Sequence, residues 1–142
     1  MKKIIFILSI FLLSTLFSNI LYAKKDFYEE GEKFFLKKNL EKSKFKFEKD
    51  IVFNPKNEKS YLYLAKIYKL KNNDRLQEQN LNTVILLNPK NEEAIYLLTL
   101  LKVKQSDYTK SKELINIFKK ICVDLCIKES ELSKKLKNLQ PK

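Results

Sequence analysis

The sequence contains no histidine, no tryptophan and one glycine, Gly31. Without histidine, neither a Ser–His nor a Cys–His pair can be assembled for nucleophilic catalysis. With only two cysteines, Cys122 and Cys126, a four-ligand nitrogen/sulfur zinc site is out of reach within one chain. A lone glycine cannot supply the glycine-rich loop that cradles a phosphate. The acidic neighbours Glu29-Glu30 and Glu92-Glu93 fit the first turns of helices, where carboxylates complement the macrodipole. Adjacent helical residues point to different faces, so these pairs do not make an acid–base couple. No enzymatic reaction, cofactor, metal or small-molecule substrate is therefore expected.

Arginine is nearly absent as well. Of 29 basic residues only Arg75 is arginine, against 17 acidic residues, and the formal net charge is +12. Nucleic-acid binders exploit arginine's planar fork and aromatic platforms. Here lysines are scattered through every amphipathic stretch, which describes solvated helix faces and no nucleic-acid partner. The excess charge still favours anionic partners over cationic ones.

What the chain has in quantity is apolar residues, 44% of its 142 residues, enough for one domain core. One apolar run stands apart. Met1-Lys2-Lys3 is positive, Ile4 to Leu16 is apolar apart from Ser9 and Ser14, and the stretch thins to Ala23 before Lys24-Lys25-Asp26. That order describes a secretory signal peptide over 1–23. The other reading is an uncleaved anchor, since a membrane span needs about 20 apolar residues. Either way an exported, periplasmic or envelope-associated protein is expected, touching a membrane only through this segment if it is retained.

The rest of the chain repeats itself. Asn54-Pro55-Lys56-Asn57-Glu58 recurs as Asn88-Pro89-Lys90-Asn91-Glu92, 34 residues on. The same shift aligns Phe27, Tyr61 and Ile95; the small residues Gly31, Ala65 and Thr99; and the large residues Phe47, Leu81 and Ile115. Within each copy the apolar period is helical. Tyr61, Leu64, Ala65 and Tyr68 follow the i, i+3, i+4, i+7 rule, and Leu81, Val84 and Ile85 continue it. Polar breakers (Lys38-Asn39, Asn72-Asn73-Asp74, Gln105-Ser106-Asp107) divide each copy into two helices. Proline cannot continue a helix, so Pro55 and Pro89 predict stops near Asn54 and Asn88. Asp26, Asn57 and Asn91 are candidate N-caps. The small residue marks a close crossing of the two helices, and the large ones fill the space beside it.

Phe27-x2-Glu30-Gly31-x2-Phe34, then Ser43-x3-Phe47 and Pro55, resembles the tetratricopeptide repeat (TPR). So does Tyr61-x2-Leu64-Ala65-x2-Tyr68, then Gln77-x3-Leu81 and Pro89. The third copy, Ile95-x2-Leu98-Thr99 with Ser111-x3-Ile115, departs more: Lys102 stands where a tyrosine is expected and Val123 where a proline is. The resemblance implies an all-α fold, an α-solenoid of three helix pairs (24–57, 58–91 and 92–123) with a capping helix and tail over 124–142, preceded by the signal helix. It also implies a concave groove lined by the first helix of each pair. By register the groove shows Tyr28, Glu32 and Phe35, then Leu62, Lys66 and Lys69, then Tyr96, Leu100 and Val103. This mixture suits a peptide or helix of a protein partner. The family's carboxylate clamp needs asparagine and basic residues at set groove positions. Tyr28 and Glu32 occupy two of these, so that ligand is not expected. A non-catalytic binding scaffold is the leading expectation, and an assembly protein acting by self-association is the alternative.

Leu132, Leu136 and Leu139 make the tail a one-faced helix, expected to begin near Asp124 and to end at Gln140-Pro141-Lys142. Repeat arrays need such a cover at the end. Cys122 and Cys126 flank the corner before it. Inside a regular helix their spacing does not suit a disulfide, but at a corner it does. An oxidising compartment favours the bond; the other reading is two buried thiols. Intact mass decides: the bond requires a rise of about 2 Da on reduction.

Overall fold

The computed structural model describes residues 27–139. The expected signal segment (1–23), the Asp26 cap and the terminal 140–142 lie outside the described residues. Every regular element among the described residues is an α-helix. Helix α1 covers 27–36. It is followed by α2 (Leu40–Phe53), α3 (Glu58–Leu70), α4 (Asp74–Leu87), α5 (Glu92–Lys104), α6 (Tyr108–Ile121) and α7 (Lys128–Leu139). An all-α fold of helix pairs is thus observed. The stops fall where the prolines require them, with Asn54 and Asn88 as C-caps of α2 and α4. The chain divides into two units, one ending at Pro55 and one beginning at Lys56.

In the first unit α1 and α2 cross at Gly31. A Cβ on Gly31 would lie 2.7 Å from a ring carbon of Phe47, which is itself fully buried. The crossing is also hydrogen-bonded: the Ser43 hydroxyl donates to the Gly31 carbonyl at 2.9 Å. Around it, the Tyr28 ring lies 5.8 Å from Phe47 and Phe27 stacks on Phe53 at 5.6 Å. Lys46 on α2 pairs with Glu30 on α1. Phe27 and Phe34 are half-buried, and Pro55 is exposed at its turn.

In the second unit α3 packs on α4, α4 on α5, α5 on α6, and α7 on both α5 and α6. Ala65 and Thr99 are fully buried at the crossings, as are Leu81 and Phe118; Ile95, Ile115 and Tyr68 are nearly so. Tyr61 packs half-buried against this core. Thr99 is larger than glycine or alanine and polar. Its hydroxyl is satisfied within its own helix, donating to the Ile95 carbonyl at 2.8 Å. That bond removes the cost of burying an unpaired hydroxyl. Lys102, the departure from tyrosine, bonds Glu78 on α4 at 2.6 Å and Gln105 at 3.0 Å, so this seam is ionic where an aromatic would be apolar.

The three breakers are one motif. Lys38, Asn72 and Ser106, each 34 residues apart, have φ of 57°, 54° and 60°. The next residues, Asn39, Asn73 and Asp107, donate their N–H groups back to Phe34, Tyr68 and Lys102 carbonyls, all at 2.9 Å. This is the Schellman closure of a helix C-terminus. The same three side chains then cap the following helix, accepting from Lys42, Leu76 and Lys110 amides. Asn91 also caps its helix, accepting from the Ala94 amide at 2.9 Å. Asn57 occupies the N-cap position of α3 as expected but makes no side-chain cap bond there; its amide nitrogen donates to the Ser60 hydroxyl at 3.2 Å.

The capping helix also differs from expectation. It begins at Lys128, not near Asp124. Residues 122–127 form a corner in which Cys122 leaves helical geometry, with ψ 139°. The Val123, Asp124 and Leu125 amides there are committed to a carboxylate on another helix, as described below.

Two substitutions test this packing. Gly31→Val is expected to lower stability in urea unfolding by about 1–3 kcal/mol through overpacking against Phe47. Ser106→Gly relieves left-handed strain of about 1–2 kcal/mol and gives back part of it as unfolded-chain entropy. A net gain of about 0.5–1 kcal/mol is expected in the same assay.

Candidate functional site

The residues expected to line a groove belong to α1, α3 and α5. Within the first unit, the Tyr28 hydroxyl donates to Glu32 at 2.7 Å and Phe35 is half-buried.

In the second unit, α3 and α5 present a face that is only partly as expected. Leu62 and Val103 are 8% and 5% exposed and belong to the core that includes Ala65 and Leu101. They are therefore not groove surface; side-by-side packing of helices removes apolar side chains at these positions from water. Lys66 bridges to Glu93 of α5 at 2.8 Å and lies over the Tyr63 ring at 4.9 Å. Lys69 is exposed and Leu100 half-buried. These two line one cleft of about 250 Å³ with Asn72, Asp74, Gln77, Leu101 and Lys104. Its mouth is tied by Lys104 to Asp74 at 2.7 Å.

Tyr96 is held by the capping helix. Its hydroxyl donates to the Glu131 carboxylate at 3.3 Å, its ring lies 6.3 Å from Phe118, and Lys128 stands over it at 5.9 Å. Burial, with the Glu131 charge added, pushes the Tyr96 hydroxyl above its ordinary value, so it remains a donor. Lys128 and then Lys135 hold the Glu131 carboxyl below the ordinary range. The site therefore offers an apolar floor around Leu100 and Leu101 with ammonium groups beside it. Among the described residues no group of three His, Cys, Asp or Glu side chains is placed to hold a metal, and no helix is long and apolar enough to cross a membrane.

Of the two readings of the cysteine pair the bonded one is observed, and the corner it closes holds a set of hydrogen bonds not foreseen in the sequence. Cys122 and Cys126 are joined as a disulfide, with Cα atoms 5.1 Å apart. Within the loop it closes, the amides of Val123, Asp124 and Leu125 donate to Glu92 at 2.7, 3.3 and 2.8 Å. Proline has no N–H to give, which explains valine at 123 where the repeat pattern expects proline. Glu58, one repeat earlier, takes a related bond from the Asn88 side chain at 2.8 Å. The recurrence of a first-turn glutamate at 58 and 92 was the available signal.

With the geometry in view, comparison with known proteins locates the fold. No family model and no curated protein matches the sequence. Solved structures do match. The TPR2B domain of yeast Sti1, in complex with pHsp70, superposes with a TM-score of 0.76 at 13% identity, covering 82% of this chain and 98% of that one. The Sgt2 TPR domain from Aspergillus fumigatus gives 0.69 at 16% identity, covering 84% and 85%. The chain has the TPR fold. At these identities the likeness is one of backbone architecture.

The Glu92 clamp yields a pH prediction. The Leu125 amide, opposed by desolvation and aided by the Val123 and Asp124 amides, holds the Glu92 carboxyl below its ordinary value. A depressed carboxylate stabilises the fold above its unfolded value, and the contribution is lost as pH falls through the folded value. In a carboxyl-carbon NMR titration Glu92 is expected to protonate at lower pH than a glutamate in an unfolded peptide. The Val123 and Leu125 amide signals should move with the same midpoint, and that movement should vanish in Glu92→Gln.

Proposed function

We propose that this protein is a non-catalytic scaffold of the bacterial envelope that docks a peptide or helical segment of another protein on the α3–α5 face. The observation that carries the reading is the cleft where exposed Lys69 meets half-buried Leu100, on a fold whose solved examples include a domain in complex with pHsp70. Apolar floor and ammonium rim together suit a segment bearing a large apolar side chain with a carboxylate near it. The formal charge of +12 supports an acidic partner over a basic one. Export is supported by the charged start, apolar run and Ala23 exit of the first segment, and by the Cys122–Cys126 bond, which persists in oxidising compartments.

The test is crosslinking capture of the protein from its native cells, with light scattering of the purified protein alongside. A specific partner is expected to be enriched by a monomeric protein. Lys69→Glu combined with Leu100→Glu is expected to lower its affinity about tenfold or more, equivalent to about 1.4 kcal/mol, with the helical circular dichroism unchanged. Undiminished capture by that double variant would remove the α3–α5 face from the reading.

A further inference from the structure

The 34-residue register does not stop at the third pair. Carried on from Gly31, Ala65 and Thr99, it reaches Ser133 on α7; carried on from Leu64 and Leu98, it reaches Leu132. Leu132 is fully buried, as its counterparts nearly are. Helix α7 thus has the pattern of the first helix of a pair, with the large inward residue followed by the small one. In the earlier pairs that small residue receives the second helix, as Gly31 receives Phe47.

Ser133 opens onto a cleft of about 370 Å³ between α6 and α7. Ile115 and Leu136, 4% and 7% exposed, form its floor. Lys112, Asn116 and Lys119 line it from α6, and Ser133 and Lys137 from α7. These spacings of three and four residues put each set on one helix face. The cleft is therefore a trough between two helices, apolar at the base and basic at both rims.

The rim charges indicate what fits. Elsewhere in this unit the seams between helices are closed by lysine–carboxylate pairs: Lys102 with Glu78, Lys104 with Asp74, and Lys66 with Glu93. At the cleft Lys119 is already engaged with Glu129 at 3.0 Å, and Ser133 donates to the same carboxylate at 2.6 Å. Lys112 and Lys137 pair with no carboxylate among the described residues. A helix laid here with the same seam chemistry must bring its own acids.

We propose that the α6–α7 cleft docks an acidic amphipathic helix of a partner protein. The guest places a large apolar side chain over Ser133, between Ile115 and Leu136. It sets carboxylates against Lys112 and Lys137, completing a fourth helix pair between two chains. This surface is separate from the α3–α5 face, so neither reading depends on the other.

The probe is a fluorescein-labelled, helix-stapled peptide of about 16 residues, with leucines along one face at i, i+4 and i+7 and glutamates flanking them. A second peptide replaces the glutamates by lysines, and a third scrambles the leucines. Fluorescence anisotropy is measured against the full chain with its disulfide intact. The acidic peptide is expected to bind saturably at one per chain, and the other two at least about tenfold more weakly. The exposed-site double variant Lys112→Glu/Lys137→Glu is expected to weaken binding by a similar factor, and Ser133→Phe to block the seat. Lys69→Glu/Leu100→Glu should leave binding intact, which separates this site from the other face. Absence of saturable binding, equal binding of the lysine or scrambled peptide, or indifference to the Lys112/Lys137 reversal would overturn the proposal. So would a wild-type dimer in light scattering that dissociates in Ser133→Phe, which would assign the seat to a second copy.

Discussion

Two helices can cross closely only where one of them has almost no side chain, and the rest of this structure is arranged around that requirement. At Gly31 the space a methyl group would take is held by the Phe47 ring. The same crossing places the Ser43 hydroxyl within reach of the Gly31 carbonyl. At Ala65 and Thr99 the requirement is relaxed by one and then three heavy atoms, and both remain fully buried. The tolerance at Thr99 has a cause: its hydroxyl folds back onto the Ile95 carbonyl, so the added bulk brings no unpaired polar group with it. A close crossing then fixes the length of each helix, because both partners must turn back within reach of each other.

The turns enforce that return. Each first helix ends on a left-handed residue, and none of the three, Lys38, Asn72 and Ser106, is the glycine that this conformation favours. The strain is offset at the neighbouring position, where Asn39, Asn73 or Asp107 closes one helix with its backbone and opens the next with its side chain. Between pairs the control passes to glutamates. Glu58 and Glu92 sit in the first turn of α3 and α5 and accept bonds from the chain leaving the second helix of the same pair. The Glu92 bonds do for the disulfide-closed corner what the Asn-Pro turn does one repeat earlier.

The architecture was legible because packing at the crossing writes a strict small/large alternation into the chain at a fixed interval. Gly31, Ala65 and Thr99 could be aligned without any coordinates. The helix stops followed from two prolines. The face positions were less legible. Leu62 shares the register of Tyr28 and Tyr96, and Val103 that of Phe35 and Lys69, yet helices lying side by side bury them. Register along one helix does not say how far a neighbouring helix covers it. The caps were visible only as polar breakers, because asparagine and aspartate serve equally well in turns and at helix starts. The late start of α7 depended on a long-range bond set to Glu92 that no local pattern announces. Whether the two cysteines were bonded likewise depended on the geometry of that corner.

The charge excess becomes intelligible once the seams are traced. Lysines 46, 66, 102, 104 and 119 each meet a carboxylate on another helix. Five of the 17 acidic residues are thereby engaged in contacts that set one helix against the next. Part of the surplus lines clefts together with apolar residues: Lys69 with Leu100, and Lys112 and Lys137 with Ile115 and Leu136. Exposed ammonium groups alone contribute little. Set at the rim of an apolar trough, they contribute more when a guest removes water from the floor beneath them, because each pairing then occurs in a lower dielectric. An occupant of either cleft, as proposed above, meets the chemistry that already joins helix to helix within the chain: an apolar floor with ammonium groups at its edges.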